Sequence, residues 1–138
     1  MATRNYRLNN DNNPQEKTST LDGQSHRAAR ALDSWRLKFD NIALSKCGGM
    51  SLENARQNAA EIFPMLKLRW QSHNDDNVDC SDILSQLHTR ADIVQLIIMS
   101  INVAQHAIMT HGLFSSEAEA RLYLMGRIMD HYKVPHRL

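Results

Sequence analysis

The chain has 138 residues, enough for one domain with an ordinary core, and 42% of them are hydrophobic. A formal net charge of +1 argues against a strongly basic nucleic-acid binder and against an acidic mimic of nucleic acid. Five glycines and three prolines are too few for the turn every 8–12 residues that an all-β sandwich or barrel needs, so the expected class is all-α.

Residues 1–24 are polar, Asn-rich and almost without apolar side chains. Such a segment cannot offset its ordering entropy and is expected to form a mobile arm ahead of a single domain over residues 25–138. No basic–apolar–small leader pattern opens the chain. The first helix is expected from Ser25, with Ala28, Leu32, Trp35, Phe39 and Ile42 forming one apolar stripe at steps of four and three. Arg27, Arg30, Arg36 and Lys38 lie off that stripe beside Asp33 and Asp40, and Cys47-Gly48-Gly49 supplies the stop.

Ser51 reads as the N-cap of a second helix that turns Leu52, Ala55, Ala59, Ile62 and Phe63 inward. Pro64 removes a backbone donor and should kink or restart it, with Leu66, Leu68 and Trp70 following. His73–Asp79 has the composition of an exposed loop. From Ser81, expected to act as a cap, to Gly112 runs a long apolar stripe through Ile83, Leu87, Val94, Ile98, Ile101 and Ile108, widened by Leu84, Ile97 and Ala104. Thr89 with Asp92 can act as a second cap and break this stretch near His88. Leu113 and Phe114 fit a hydrophobic staple and Ser116 with Glu119 a capping box. The last helix should bury Leu122, Met125, Ile128 or Met129, and Tyr132, and stop at Lys133-Val134-Pro135. The expected architecture is a compact bundle of about four to five helices.

Chemistry is hard to find in this pattern. Seven histidines form spaced pairs (His88 with Asp92, His106 with His111, His131 with His136) but none brings the third ligand that zinc requires. Asp75-Asp76-Asn77-Val78-Asp79 lacks the spacing of a calcium loop. Cys47 has no partner histidine in sequence; Cys80, just before a helix start, is the better candidate for an acidic thiol, although neighbouring aspartates oppose that shift. There is no phosphate-binding or dinucleotide glycine pattern and no nucleophile elbow. The expectation is a non-enzyme without cofactor or metal.

The leading expectation is a small regulator, adaptor or inhibitor that docks a helical face on another protein and self-associates, most simply as a homodimer. Trp35 and Trp70, aromatic residues on charge-rich elements, are its candidate anchors. Met99, Met109, Met125 and Met129 fit either adaptable contacts or core filling. The alternative is a nucleic-acid-associated protein using Arg27, Arg30, Arg36 and Lys38 of the basic first helix together with the N-terminal arm. Residues 1–46 carry eight Lys/Arg against five acids, whereas residues 73–100 carry one Arg against five Asp, so opposite charges occupy different parts of the chain. A helix-turn-helix over Val103–Tyr132 would place Glu117 and Glu119 where phosphate contacts are normally made. The longest unbroken apolar run, Leu96–Met99, is far shorter than a bilayer span, so no membrane partner and a cytoplasmic location are expected. Such chains occur among regulators, secretion chaperones and phage or plasmid accessory proteins, and fold class alone does not choose between them.

Overall fold

Apolar stripes at helical spacing are satisfied here by one central helix with three others laid against it. The computed structural model describes residues 22–46, 49–71 and 79–136, and these form five helices: α1 (Gly23–Lys46), α2 (Gly49–Gln71), α3 (Ser81–Leu84), α4 (Arg90–His111) and α5 (Ser116–His131). The all-α bundle is therefore observed. Residues 1–21, Cys47-Gly48 and most of the acidic loop, residues 72–78, lie outside the described residues.

α4 is the centre, packed against α1, α2 and α5. Its Leu96, Ile101, Ala104 and Ile108 are wholly buried, joined by Leu32 of α1, Ala59 and Leu66 of α2, and Ile128 and Met129 of α5. A fully buried Leu or Ile is worth about 1.5–3 kcal/mol over an exposed one. Averaged over 18 residues, α4 has a mean hydropathy of 1.5, which by length and composition suits a membrane span, a property that counting only unbroken apolar runs had hidden. In the fold, burial on three sides accounts for that apolarity.

Polar side chains fix how the helices sit. Gln105 Nε2 of α4 donates to the Ala29 carbonyl of α1 at 2.9 Å, an approach allowed by the small Ala28 and Ala29. Asn58 Nδ2 of α2 donates to the buried Asp92 carboxylate of α4 at 3.2 Å. The Tyr132 hydroxyl donates to the Leu84 carbonyl at 2.9 Å and ties the end of α5 to α3; burial pushes its pKa up to about 12.

The helix ends correct several expectations by one to three residues. α1 is capped by Asp22, whose carboxylate accepts from the Ser25 N–H at 2.8 Å; that bond holds its pKa below the usual range. Ser25, freed from capping, is buried and accepts from the Leu113 N–H at 2.9 Å. α2 begins at Gly49, so Ser51 lies within the helix rather than at its N-cap. It does not restart at Pro64: the proline is exposed, and the inward face from Ala55 through Ala59 and Ile62 to Leu66 continues across it. The stretch from Ser81 to Gly112 is two helices, because Thr89 Oγ1 accepts from the Asp92 N–H at 3.1 Å and opens α4. Cys80, not Ser81, is the N-cap residue of α3, and Asp79 accepts from the Ser81 N–H at 2.9 Å. Ser115, not Ser116, caps α5, accepting from the Ala118 N–H at 3.1 Å. Leu113 packs on the core but Phe114 is 75% exposed, so the expected staple is only half made.

α5 ends in a Schellman turn. The Val134 N–H donates to the Met129 carbonyl at 2.8 Å and the Lys133 N–H to Asp130 at 3.0 Å, with Val134 packed on the core. The left-handed position of this turn, normally glycine, is Lys133 at φ 59°. Replacing Lys133 by glycine is therefore expected to stabilise the protein by about 1 kcal/mol, read as a rise in the urea midpoint. An unchanged or lowered midpoint would show that the lysine side chain offsets its own backbone strain.

Candidate docking surface

The two tryptophans occupy different environments. Trp35, on α1, is partly buried against the core and lines a groove with Lys38 and the residues that follow α5, Val134, Pro135 and His136. Trp70, near the end of α2, is half-buried and stacks on Tyr123 of α5, with centroids 4.8 Å apart and planes inclined by 25°. A stacked, sterically fixed ring with one flank open is the arrangement that makes an aromatic residue a good anchor.

The outer face of α2, on the side of the helix away from Trp70, carries apolar side chains next to the exposed Glu61. Leu68 is 69% and Met65 41% exposed, and Pro64 is exposed next to them. Residues 65 and 68 are one turn apart, so their side chains are neighbours. Leu68 points outward because it follows Leu66 by only two positions and faces away from the Ala59–Ile62–Leu66 stripe. The same periodicity that located the stripe carries this information. Large apolar side chains are also exposed singly at Leu37 on α1 and at Met109 and Phe114 around the α4–α5 turn. Met125 and Met129, by contrast, are core residues and Met99 is partly buried against them.

The four basic candidates of α1 do not share one surface. Arg27, Arg30 and Lys38 are exposed. Arg36 lies about two and a half turns beyond Arg27, on the other side of the helix. There it bonds Asp33 at 2.8 Å and Asp40 at 2.7 Å, so its charge is already matched by two carboxylates. The Asp33 carboxylate is held below the ordinary range chiefly by that Arg36 bond. Three cations remain on the free face of α1.

At the same end of α2 as Trp70, Arg69 pairs with Asp82 and donates to the Asp79 carbonyl at 3.2 Å, fastening α2 to the start of α3. Cys80 lies between these groups, and burial pushes its thiol pKa up despite the pull of Arg69 and Arg127. The Cys80 thiol is therefore not acidified, because desolvation outweighs both cations, and its comparison with Cys47 lies outside the described residues. Among the described residues no three His, Cys, Asp or Glu side chains converge as metal ligands would. His136 does not meet His131; its Nε2 contacts Asp130 at 2.6 Å and its ring lies against Gly126, where an added Cβ would come within 3.2 Å. His106 faces Thr110 at 3.5 Å rather than His111.

Comparisons with protein-family models, with curated proteins and with solved structures return no match to this chain, so these surfaces rest on their own geometry.

Proposed function

We propose that the chain is a non-enzymatic interaction protein, a small regulator, adaptor or inhibitor that docks the outer face of α2 on the apolar face of a helix in another protein. The observation that carries this reading is the exposure of Leu68 and Met65, one turn apart on the outer face of α2. Exposed large apolar side chains that adjoin one another on regular structure mark contact surfaces more often than isolated ones do. The mechanism is occupation: the partner's helix covers Pro64, Met65 and Leu68, while Trp70, two positions beyond Leu68, stays on the bundle side against Tyr123. A second copy of the chain can present the same face, which would give an isologous homodimer.

Leu68→Asp tests the reading, since a carboxylate in a desolvated contact costs at least about 2 kcal/mol, some thirtyfold in affinity. Leu68 is exposed, so circular dichroism should be unchanged. Light scattering over a range of concentrations, and nuclease-treated capture from cell extract, should show an assembly for the wild type that the variant loses. Identical behaviour of the two proteins would exclude the α2 face. Captured material that disappears with nuclease would instead support nucleic-acid binding by Arg27, Arg30 and Lys38.

A further inference from the structure

α1 and α5 both pack on α4 but make no extensive contact with each other, and the chain leaving α5 borders the groove between them. The Schellman turn at Lys133 sends that chain back along α5, so that His136 meets Gly126 and Asp130. Side chains alternate along it: Val134 and His136 are half-buried, whereas Lys133 and Pro135 are exposed. Trp35 of α1 lines the groove with Val134, Pro135 and His136, so the segment and the indole face one another.

Two residues of α5 are out of place by local rules, and His136 touches both. Gly126 sits inside the helix, where glycine is among the poorest helix formers, and an added Cβ would come within 3.2 Å of the His136 ring. Asp130 puts a negative charge in the last turn, where the helix dipole disfavours it, and its carboxylate lies 2.6 Å from His136 Nε2. Past Val134 the backbone gives no further hold. Pro135 has no N–H, and among the described residues neither it nor His136 makes a backbone–backbone hydrogen bond. The end of the segment is thus held by one side-chain contact at the protein surface, and exposed pairs of this kind shift an equilibrium by no more than about fivefold.

We infer that residues 134–136 are a detachable strap, latched by His136, that gates the Trp35 side of the groove between α1 and α5. Segments with few buried contacts and little backbone bonding open well below the free energy of global unfolding. The hinge is Lys133, whose φ of 59° is a conformation that residues other than glycine rarely hold. Rotation there breaks the Val134 bond to the Met129 carbonyl and lifts the strap while the bundle stays folded. In the closed form the strap is itself the occupant of the groove and shields Trp35 from contacts outside the chain. In the open form the indole is uncovered. Gly126 and Asp130, each unfavourable to the helix that carries it, are accounted for as the seat of the latch. The gate is independent of the docking reading for α2, because Trp35 and the strap lie between α5 and α1 rather than on α2.

Two probes report the opening in the full-length protein. With Trp70→Phe as background, Trp35 is the sole tryptophan, and acrylamide quenching of its emission measures its accessibility. Hydrogen exchange of the Val134 amide, which donates to the Met129 carbonyl, follows the hinge from the backbone and needs no tryptophan substitution. At fixed pH, His136→Ala is expected to raise the Trp35 quenching constant and to speed Val134 exchange about two- to fivefold. Asp130→Asn should do the same with an unchanged or raised urea midpoint, since it also removes a charge that the end of α5 disfavours. A residue that merely propped the fold would lower that midpoint instead. The variant carrying both changes should open no further than the larger single effect, because both act through one contact. In the unsubstituted chain, Val134 exchange should be nearly independent of low urea, whereas the Ile101 amide should follow global unfolding steeply. Equal urea dependence at Val134 and Ile101, unchanged Trp35 quenching in His136→Ala, or fully additive effects in the double variant would each overturn the gate.

Discussion

Ile101→Ala is expected to destabilise the protein by about 3–5 kcal/mol, the upper part of the range for removing a large aliphatic side chain from a core. Ile101 has no exposed surface and lies midway along α4, the one helix that packs against three others. The cost of such a change depends on how far the surroundings can collapse into the space left behind. Here a wall cannot move in without displacing a second contact of the same helix, so most of the cavity should persist. Since domains of this size are stable by only about 5–15 kcal/mol, the variant should be near the limit of folding. Urea unfolding followed by circular dichroism should show a large fall in midpoint with little change in slope. Met109→Ala, on the same helix but 45% exposed, should remain within about 0.5 kcal/mol of the wild type. A loss below about 1 kcal/mol at Ile101 would mean that α4 is not the common wall of the bundle.

The centrality of α4 could be read from its residues, though not its length. Ile97, Ile98 and Ile101 with Ala104 and Ile108 cover more than one side of a helix, and only a helix with several neighbours needs that. The break before it was also legible, because Thr89 and Asp92 stand at cap spacing. What could not be read was which of two adjacent hydroxyls or carboxylates would cap. Ser115 and Ser116 are chemically equivalent in sequence, as are Ser25 and Asp22 to a pattern search. The choice is made by tertiary contacts: Ser25 is drawn inward to meet the Leu113 N–H, which leaves α1 to Asp22. Pro64 shows the same limit, since its ring is tolerated inside α2 at an exposed position where the inward face is unaffected.

The candidate surfaces were less legible than the fold, for a physical reason. Periodicity tells which residues share a face; it does not tell which cations on that face already have partners. Arg36 is withdrawn from the basic set by Asp33 and Asp40, both on its own helix and in principle readable at three- and four-residue spacing. That Lys67 of α2 and Arg121 of α5, more than fifty positions apart, line one cavity needs the tertiary structure. So does the stacking of Trp70 on Tyr123, which converts a tryptophan on a polar helix into a fixed wall.

Gly112→Ala is expected to cost about 1–3 kcal/mol, although the new methyl group would touch nothing. An added Cβ at this position has no neighbour within 4 Å, so crowding plays no part. The penalty arises in the backbone: Gly112 has φ 94° and ψ 153°, a region essentially restricted to glycine. The chain cannot relax out of it cheaply, because both sides of the turn are fastened. The Gly112 N–H donates to the Ile108 carbonyl at 2.8 Å, and its own carbonyl accepts from the Ser115 hydroxyl at 2.7 Å. The next residue, Leu113, is held to the buried Ser25 of α1. A shift in φ would therefore break the end of α4, the cap of α5 or the tie to α1. Thermal unfolding should show a fall of about 4 °C for each kcal/mol lost. Gly23→Ala is the control, since Gly23 is helical and its added Cβ would meet only Arg27 at 3.5 Å. That substitution should be neutral or stabilising by up to about 1 kcal/mol. Equal melting temperatures for Gly112→Ala and Gly23→Ala would show that the α4–α5 turn yields freely and does not hold the two helices in register.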